Sequence, residues 1–174
     1  LWGFQNSPPR FSPDGSYVVF TAFRNFEQDI LIHHIKSGET FELTRSGVSE
    51  RMPYWSACGK YIYFVSDRFN PNYPRSATSD RLYRIPLTRF QEPLRSASFD
   101  ALFADEEKNS KTLPSIQIDR DRFMDRWEDM RVSGIGRQWA PHSFRQKDTD
   151  VLFFASNHDK GEWALWKLEL KPFE

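Results

Sequence analysis

The chain has 174 residues, and its 24 Lys and Arg side chains balance 24 Asp and Glu side chains, so the formal net charge is zero. Proteins that bind nucleic-acid phosphates usually carry a clear positive excess, so this balance argues against nucleic acid as a partner. No apolar run reaches the roughly 18 residues that a membrane-spanning helix needs, so membrane insertion is not expected. Aromatic residues reach 16%, which excludes a disordered chain, and the single cysteine excludes an internal disulfide and a cysteine-based zinc site.

A turn motif near the amino terminus introduces the first predicted strands. In Ser12-Pro13-Asp14-Gly15, proline fixes a φ angle that suits the turn, and glycine can adopt the left-handed conformation that strains other residues. The aromatic and β-branched segment 17–22 follows and predicts a strand. Further strands are predicted at 29–35 and 40–44, with a turn at 37–39 between them.

The same pattern returns 44 residues later. The identical pairs are Pro9 and Pro53, Ser12 and Ser56, Gly15 and Gly59, Tyr17 and Tyr61, Phe20 and Phe64, and Arg24 and Arg68. A second half of the unit recurs at 30–35, 82–87 and 165–170, and segment 151–156 resembles 61–66. The unit therefore appears three times, and repeats of this kind must be recognised before a fold is assigned.

Units of about four strands in about 44 residues are typical of β-propeller blades. The predicted fold class is all-β, a partial β-propeller of about three to four four-stranded blades. We assign blade one to about 5–45, blade two to about 46–95, and divergent strands plus the last blade to about 115–174. An inter-blade insertion at about 96–114 is predicted to be mostly loop, with one short helix that begins at Ser98 and places Phe99, Leu102 and Phe103 on one face. A strand is predicted to begin at Ile116 and Ile118.

A ring of six or seven such blades needs about 260–310 residues, so the chain is expected to be part of a larger propeller. It also begins at Leu1 without an initiator methionine. The expected partners are therefore the remaining blades of a parent protein. Self-association through open blade faces is expected as well, because an open arc exposes unpaired edges.

Three segments carry a family resemblance. Segment 9–20, P-R-F-S-P-D-G-S-Y-V-V-F, resembles the propeller repeat of TolB-like proteins, dipeptidyl-peptidase-like propellers and tricorn-type proteases. Segment Ile118–Arg126 resembles the I-D-x-D-G-I-x-x-R segment in the propeller region of tricorn-type proteases, with Arg122 where the family usually has glycine. Segment Leu82–Leu87, followed by a charged insertion, resembles bacterial tricorn homologues.

The resemblance to tricorn-type proteases implies a serine peptidase that trims oligopeptides. In that family the propellers admit or guide peptides, and the catalytic serine and histidine lie in other domains. The resemblance thus implies a non-catalytic propeller segment, with peptide substrates and the parent's catalytic domains as partners. It implies a cytoplasmic location, with the periplasm left open. A TolB-like protein-binding propeller without an enzyme, and the propeller of a dipeptidyl-peptidase-like hydrolase, remain alternatives.

No residue is assigned as catalytic, cofactor-binding or metal-binding, and no cofactor is expected. Ser49 lies in Gly47-Val48-Ser49-Glu50-Arg51, which lacks the second glycine of a nucleophile elbow and precedes a strand. Cys58 takes the turn position of Asp14 and is interpreted as a partly exposed thiol without a partner. The histidines lack metal-ligand spacing and are interpreted as ordinary strand and loop residues: His33, His34, His142 and His158.

Two further groups of residues are interpreted as structural. Segment 119–131 alternates carboxylates with arginines, which predicts charge pairs and favours an aspartate–arginine contact that braces neighbouring blades. Its members are Asp119, Asp121, Asp125, Glu128 and Asp129, with Arg120, Arg122, Arg126 and Arg131. The second group comprises tryptophans predicted to fill the cores between blades: Trp2, Trp55, Trp139, Trp163 and Trp166.

Overall fold

The computed structural model describes residues 7–24, 27–71, 80–89, 115–130, 132, 136–146 and 149–170. These residues form three antiparallel sheets, two with four strands and one with three. The all-β fold class is therefore confirmed. The described part of the chain contains no helix that could cross a membrane.

The first sheet is a meander in which each strand pairs with the next one along the chain. The turn before its second strand forms as predicted: the Gly15 amide donates a hydrogen bond to the Ser12 carbonyl at 2.9 Å, and the φ of Gly15 is 71°. The predicted strands are confirmed to within a few residues. The strands are β1 (Arg10–Phe11), β2 (Tyr17–Arg24), β3 (Glu27–His34) and β4 (Thr40–Glu42).

The second sheet takes its fourth strand from beyond the insertion. Its strands are β5 (Glu50–Trp55), β6 (Tyr61–Ser66), β7 (Arg81–Pro86) and β8 (Glu128–Asp129). In β8, Asp129 pairs with Tyr83 and Glu128 pairs with Arg84. The prediction of an insertion between blades is therefore wrong, because the insertion lies inside the second sheet, between its third and fourth strands.

The segment that leads back to β8 differs from its prediction too. Residues 115–120 are not in a strand, although the Asp119 amide donates to the Leu87 carbonyl at 2.8 Å. Ile116 is instead buried in a core, which anchors the returning chain without a sheet partner. A short 3-10 helix, Phe123–Arg126, follows, and the alternating charges of this stretch concealed it. The predicted helix at 98–103 lies outside the described residues.

The third sheet has the strands β9 (Gln138–Gln146), β10 (Thr149–Ser156) and β11 (Ala164–Leu170). Its order is β11-β10-β9, so β10 lies between the other two. The predicted segments 151–156 and 165–170 lie within β10 and β11.

The second sheet is covered on both faces. In β6, Ile62 and Phe64 belong to one core with side chains of the first sheet, while Tyr63 and Val65 belong to another with Leu152 of the third sheet. All four β6 side chains are fully buried. This explains why β6 is a continuous apolar run, since a strand that is buried on both faces has no polar side.

The three sheets converge at their first strands. Strand β5 contacts β1, β2 and β3 of the first sheet, and β9 contacts β5, β6 and β7 of the second. Among the described strands, the outer strands β4, β8 and β11 make no contact with one another. Sheets that meet at one edge and diverge at the other are arranged as propeller blades. The structure is therefore a partial β-propeller of three sheets.

The tryptophan prediction holds in part. Trp55 is buried in the first core, and Trp139 and Trp166 pack against the second. The prediction for Trp163 is wrong, because 53% of its surface is exposed just before β11. Trp127, which the sequence did not single out, packs with its ring centroid 4.8 Å from that of Phe64. Trp2 lies outside the described residues.

Candidate functional site

A row of side chains in contact with one another crosses the three sheets where they converge. The guanidinium carbon of Arg10 lies 5.4 Å from the ring centroid of Tyr54. The Tyr54 and His142 ring centroids lie 4.7 Å apart. Because these residues belong to β1, β5 and β9, each of the three sheets contributes one member. We call Arg10, Tyr54 and His142 the inner row.

The same backbone irregularity positions two members of the row. Met52 and Ala140 have left-handed φ angles of 53° and 50°, and each is followed by a proline. The pairing register shifts beside both residues, in β5 against β6 and in β9 against β10. Such a bulge re-aims the side chains that follow it, here Tyr54 and His142. The prolines are tolerated because first strands are edge strands.

The amide of each bulged residue donates a hydrogen bond to a side chain that comes earlier in the chain. The Met52 amide donates to Ser7 Oγ at 3.0 Å, and the Ala140 amide donates to Met52 Sδ at 3.3 Å. The two bulges are thus equivalent in conformation, although one amide bonds to a hydroxyl before β1 and the other to the thioether of the β5 bulge. This equivalence relates the second and third sheets by structure as well as by sequence.

The inner row combines a cation, an aromatic ring and a neutral imidazole. The His142 side chain is exposed, but partial desolvation, together with the nearby positive charge of Arg10, lowers its pKa below the ordinary value. Both effects favour the neutral imidazole. A cleft of about 60 Å³ lies against the row and is lined mainly by proline and by the row itself. Two rings and an arginine in contact suit the binding of peptide backbone, aromatic side chains or carboxylates.

A second polar group ties the second sheet to the third. The Asp80 side chain is fully buried and forms ion pairs with Arg51 and, at 3.2 Å, with Arg137. The Gln138 amide also donates to the Asp80 carbonyl at 2.8 Å. Asp80 precedes β7 and Arg137 precedes β9, so this group braces two neighbouring sheets. The sequence favoured such a brace but placed it at 119–131.

Two buried carboxyl groups lie near the same end of the sheets. Burial raises the pKa of Glu50 to about 8, and Ser46 donates a hydrogen bond to this carboxyl. Burial, with the nearby charge of Glu27, also raises the pKa of Asp29. Among the described residues, neither carboxylate oxygen of Asp29 has a hydrogen-bond partner. No group of three metal-ligating side chains occurs in the part of the chain that the structure describes.

The charged residues of 119–131 form mostly exposed ion pairs, as predicted. Arg122 pairs with Asp125 at 2.6 Å, one turn apart, and Arg84 pairs with Glu128 at 2.5 Å across β7 and β8. Arg120 reaches Glu39 of the first sheet, with Nη2 2.7 Å from Oε2. Arg122 has a left-handed φ of 54°, which explains why glycine suits that position in the family that the segment resembles. Arg131 lies outside the described residues.

Other candidates have structural contacts. Ser49 precedes β5, and its Oγ accepts a hydrogen bond from the Gln28 amide at 3.2 Å. Cys58 is half-buried, and burial raises the pKa of its thiol. His158 Nδ1 lies 2.8 Å from Ser156 Oγ, but Ser156 is the fully buried last residue of β10, and its hydroxyl also accepts the His158 amide at 3.3 Å. Such a serine cannot reach a substrate.

The remaining histidines make local contacts. His33 Nδ1 lies 2.8 Å from Thr40 Oγ1, and His34 Nδ1 lies 2.7 Å from Ser37 Oγ. The His34 ring contacts Tyr17 in a tilted arrangement, on the face that packs against the second sheet. His33 and His34 thus lie on opposite faces of β3, as their adjacency predicted.

The inner row was not identified from the sequence. Its signal was the recurrence of proline followed by an aromatic residue, in Pro53-Tyr54 and again in Pro141-His142. The bulges themselves have no sequence marker, because Met52 and Ala140 are not glycines.

Comparisons with known proteins agree with this architecture. No protein-family model and no curated protein sequence matches the chain. Among solved structures, the tricorn protease superposes with a TM-score of 0.51 at 12% identity, covering 91% of this chain and 18% of that chain. A putative TolB from Agrobacterium tumefaciens gives a TM-score of 0.48 at 18% identity, covering 95% of this chain and 51% of that chain.

The chain thus spans less than a fifth of the tricorn protease chain and about half of the TolB chain that it matches. Identities this low establish similarity of fold and leave activity open. The resemblance inferred from segments 9–20 and 118–126 is confirmed at the level of fold. The chain has the β-propeller fold found in part of the tricorn protease.

Proposed function

We propose that the chain is a non-catalytic β-propeller part of a tricorn-like serine peptidase and shapes the route by which peptides reach or leave a catalytic domain outside residues 1–174. The observation that supports this most is the inner row, because Arg10, Tyr54 and His142 come together where the sheets converge. The centre of a propeller is the natural path for an extended substrate.

The row suits peptide guidance more than peptide cleavage. Its arginine can pair with a terminal or side-chain carboxylate, and its rings can stack on aromatic side chains. In the described residues the row lacks a nucleophile that is hydrogen-bonded to a base, which peptide hydrolysis by a serine enzyme requires.

Two measurements on the whole 174-residue chain test this proposal. Fluorogenic oligopeptides should show no turnover above the uncatalysed rate. An alanine-rich octapeptide with a free carboxylate and one phenylalanine should perturb the NMR signals of Tyr54 and His142. Arg10→Ala should weaken that binding at least about tenfold, since a charge-assisted hydrogen bond contributes about 1.5–3 kcal/mol.

His33→Ala is the matched control, because His33 is a half-buried histidine of the first sheet outside the row. It should leave octapeptide binding unchanged. Turnover by pure protein, or octapeptide binding that is equally strong in the Arg10→Ala variant, would overturn the proposal.

A TolB-like protein-binding propeller is the second candidate, and the open face of the third sheet favours it. Phe144 and Phe153 stack there with centroids 5.4 Å apart, and 73% of the Leu165 surface is exposed. Exposed apolar patches of this kind often mark protein interaction sites. This candidate predicts that Phe144→Lys abolishes partner binding and that Arg10→Ala does not.

A further inference from the structure

The second and third sheets begin with equivalent buried residues, Glu50 and Gln138. Each is the first residue of its sheet's first strand, two positions before the bulged residue. Each also lies opposite a fully buried serine in the next strand, Ser66 or Ser156. The same position of the repeat therefore holds a carboxyl group where the first and second sheets meet, and an amide where the second and third sheets meet.

The side chain of Gln138 helps to hold the second and third sheets together. Its Oε1 accepts a hydrogen bond from the Leu82 amide at 2.5 Å, and its backbone amide donates to the Asp80 carbonyl at 2.8 Å. Leu82 belongs to β7 and Asp80 precedes it, so both bonds cross from one sheet to the next. An uncharged side chain makes such contacts without the free-energy cost of burying a charge.

The carboxyl group of Glu50 occupies the matching position against the first sheet. The Ile30 amide, which the repeat relates to the amide that Gln138 binds, donates to Thr44 Oγ1 at 2.8 Å, and the Thr44 hydroxyl interacts with this carboxyl. Ser46 donates to Oε1 of Glu50, whereas Oε2 has no hydrogen-bond partner among the described residues. A protonated carboxyl resembles glutamine in shape and charge, so the protonated form of Glu50 is the one that matches Gln138.

The charges around Glu50 oppose its ionisation. Asp29 and Glu27 of β3 act on it, and both are negative. Asp29 is itself buried, and neither of its carboxylate oxygens has a hydrogen-bond partner within the described segments. In the part of the chain that the structure describes, no cation forms an ion pair with Glu50, since the nearby arginines Arg24 and Arg51 pair with other carboxylates. The other charged groups on the surrounding elements are Glu42, Arg45, Asp67 and Asp80.

We propose that the interface between the first and second sheets is pH-sensitive: it is closed while Glu50 is protonated and opens locally when Glu50 ionises. Ionisation of the closed interface would leave a buried, unpaired charge near Asp29, whereas in the open interface water solvates that charge. The interface between the second and third sheets lacks this dependence, because Gln138 does not titrate. The inference concerns cohesion between sheets and does not depend on peptide guidance by the inner row.

Opening of this interface releases a proton from Glu50. In the closed interface, burial raises the pKa of this carboxyl to about 8, and in the open interface the pKa returns to its ordinary value of 4.5. Between about pH 5 and 8 the equilibrium constant for opening therefore rises with pH, by up to about tenfold per pH unit. Above this range Glu50 is ionised in both states, so the dependence ends.

Amide hydrogen exchange, followed by NMR on the 174-residue chain at pH 5, 6, 7 and 8, tests the proposal. Gln28 and Ile30 report on the first interface, because their amides donate to hydroxyls of segment 44–49. Leu82 and Gln138 report on the second interface. Protection factors, which correct for the intrinsic effect of pH on exchange, should fall with pH more steeply at the first interface, by up to about tenfold per pH unit.

Two reciprocal substitutions provide the matched pair. Glu50→Gln should flatten the pH dependence of protection at Gln28 and Ile30. Gln138→Glu should introduce such a dependence at Leu82, whose amide bonds to the substituted side chain. Glu39→Gln changes an exposed carboxylate of the first sheet's last turn and should alter neither interface. If Gln138→Glu fails to fold, the comparison of the unaltered chain with Glu50→Gln decides.

Equal pH dependence of protection at the two interfaces would show that the chain opens as a whole, and it would overturn the proposal. The proposal is equally wrong if protection of Gln28 and Ile30 stays constant between pH 5 and 8, or if their pH dependence persists unchanged in Glu50→Gln.

Discussion

Asp14 joins two distant parts of the chain through a single carboxylate. It accepts hydrogen bonds from Ser12 Oγ at 2.7 Å and from both the amide and the hydroxyl of Ser16, at 3.0 and 2.7 Å. Its second oxygen accepts the Ile116 amide at 3.2 Å, from the segment that returns after the insertion. Burial disfavours ionisation of Asp14, but these hydrogen bonds lower its pKa overall.

Asp14→Ala should lower the free energy of unfolding by about 1–3 kcal/mol, because several donors lose a charged acceptor. Urea denaturation followed by tryptophan fluorescence measures this change. Cys58→Ala is the control, since Cys58 occupies the same repeat position and its thiol lies at a weak 3.4 Å from Ser56 Oγ. Equal losses in the two variants would show that the Asp14 hydrogen bonds contribute nothing.

Glu50 makes stability depend on pH. Its pKa is raised from 4.5 to about 8 in the fold, so the folded state holds a proton that the unfolded state releases. Stability should therefore fall as pH rises from about 5 to 8, by up to about 1.4 kcal/mol per pH unit. Asp29 and Asp67 act in the same direction, because burial raises their pKa values too.

Glu50→Gln should reduce this slope, since glutamine keeps the shape of the protonated acid and does not titrate. Denaturation midpoints at pH 5, 6, 7 and 8 measure the dependence of stability on pH in both proteins. Glu39→Gln serves as the control: Arg120 lowers the pKa of Glu39, so this residue cannot produce a loss of stability on raising the pH. An unchanged slope in Glu50→Gln would contradict the role given to this carboxyl.

At the scale of elements, the brace formed by Asp80 holds the second sheet against the third. Asp80→Ala should lower the free energy of unfolding by about 3–5 kcal/mol, because it leaves Arg51 and Arg137 without their buried counter-ion. Asp129→Ala removes a partly exposed carboxylate that lies 3.7 Å from Arg81, and it should cost less than about 1 kcal/mol. Thermal unfolding of both variants compares them, and similar losses would argue against a brace.

Sequence alone predicted the elements best where the determinants were local. The Ser12–Gly15 turn, β2, β3 and β6 follow from turn residues and apolar runs that lie next to one another in the chain. The fourth strand of the second sheet could not be predicted, because β8 has two residues and pairs across an insertion. A strand that short carries no periodicity that a sequence pattern could show.

The candidate site was harder to predict than the fold. Arg10, Tyr54 and His142 come together only after three sheets have converged, and Asp80 meets Arg137 across 57 positions of sequence. Neither contact follows from spacing along the chain. The repeat at 44 residues nevertheless predicted that β1 and β5 are equivalent, which is the basis of the inner row.

For the whole molecule, the open face of the third sheet predicts association at high protein concentration. Phe144, Phe153 and Leu165 lie on that face, opposite the side that packs against the second sheet. Phe144→Lys should shift the sedimentation profile toward monomer, because it places a charge within the apolar patch. Phe69→Lys changes an exposed aromatic residue elsewhere and should have no effect. A profile that is unaffected by Phe144→Lys would exclude this face as the contact.

Strands β7 and β8 pair with each other although they lie on opposite sides of segment 90–114 in the sequence. Because residues on both sides of 90–114 contribute to one sheet, the covalent link through that segment is not what holds β7 and β8 together. Trp127, directly before β8, also contacts the rings of Phe64 in β6 and Tyr83 in β7. Separately produced polypeptides 1–95 and 105–174 should therefore reassemble on mixing, which would make this position a suitable place to split the molecule into complementing halves.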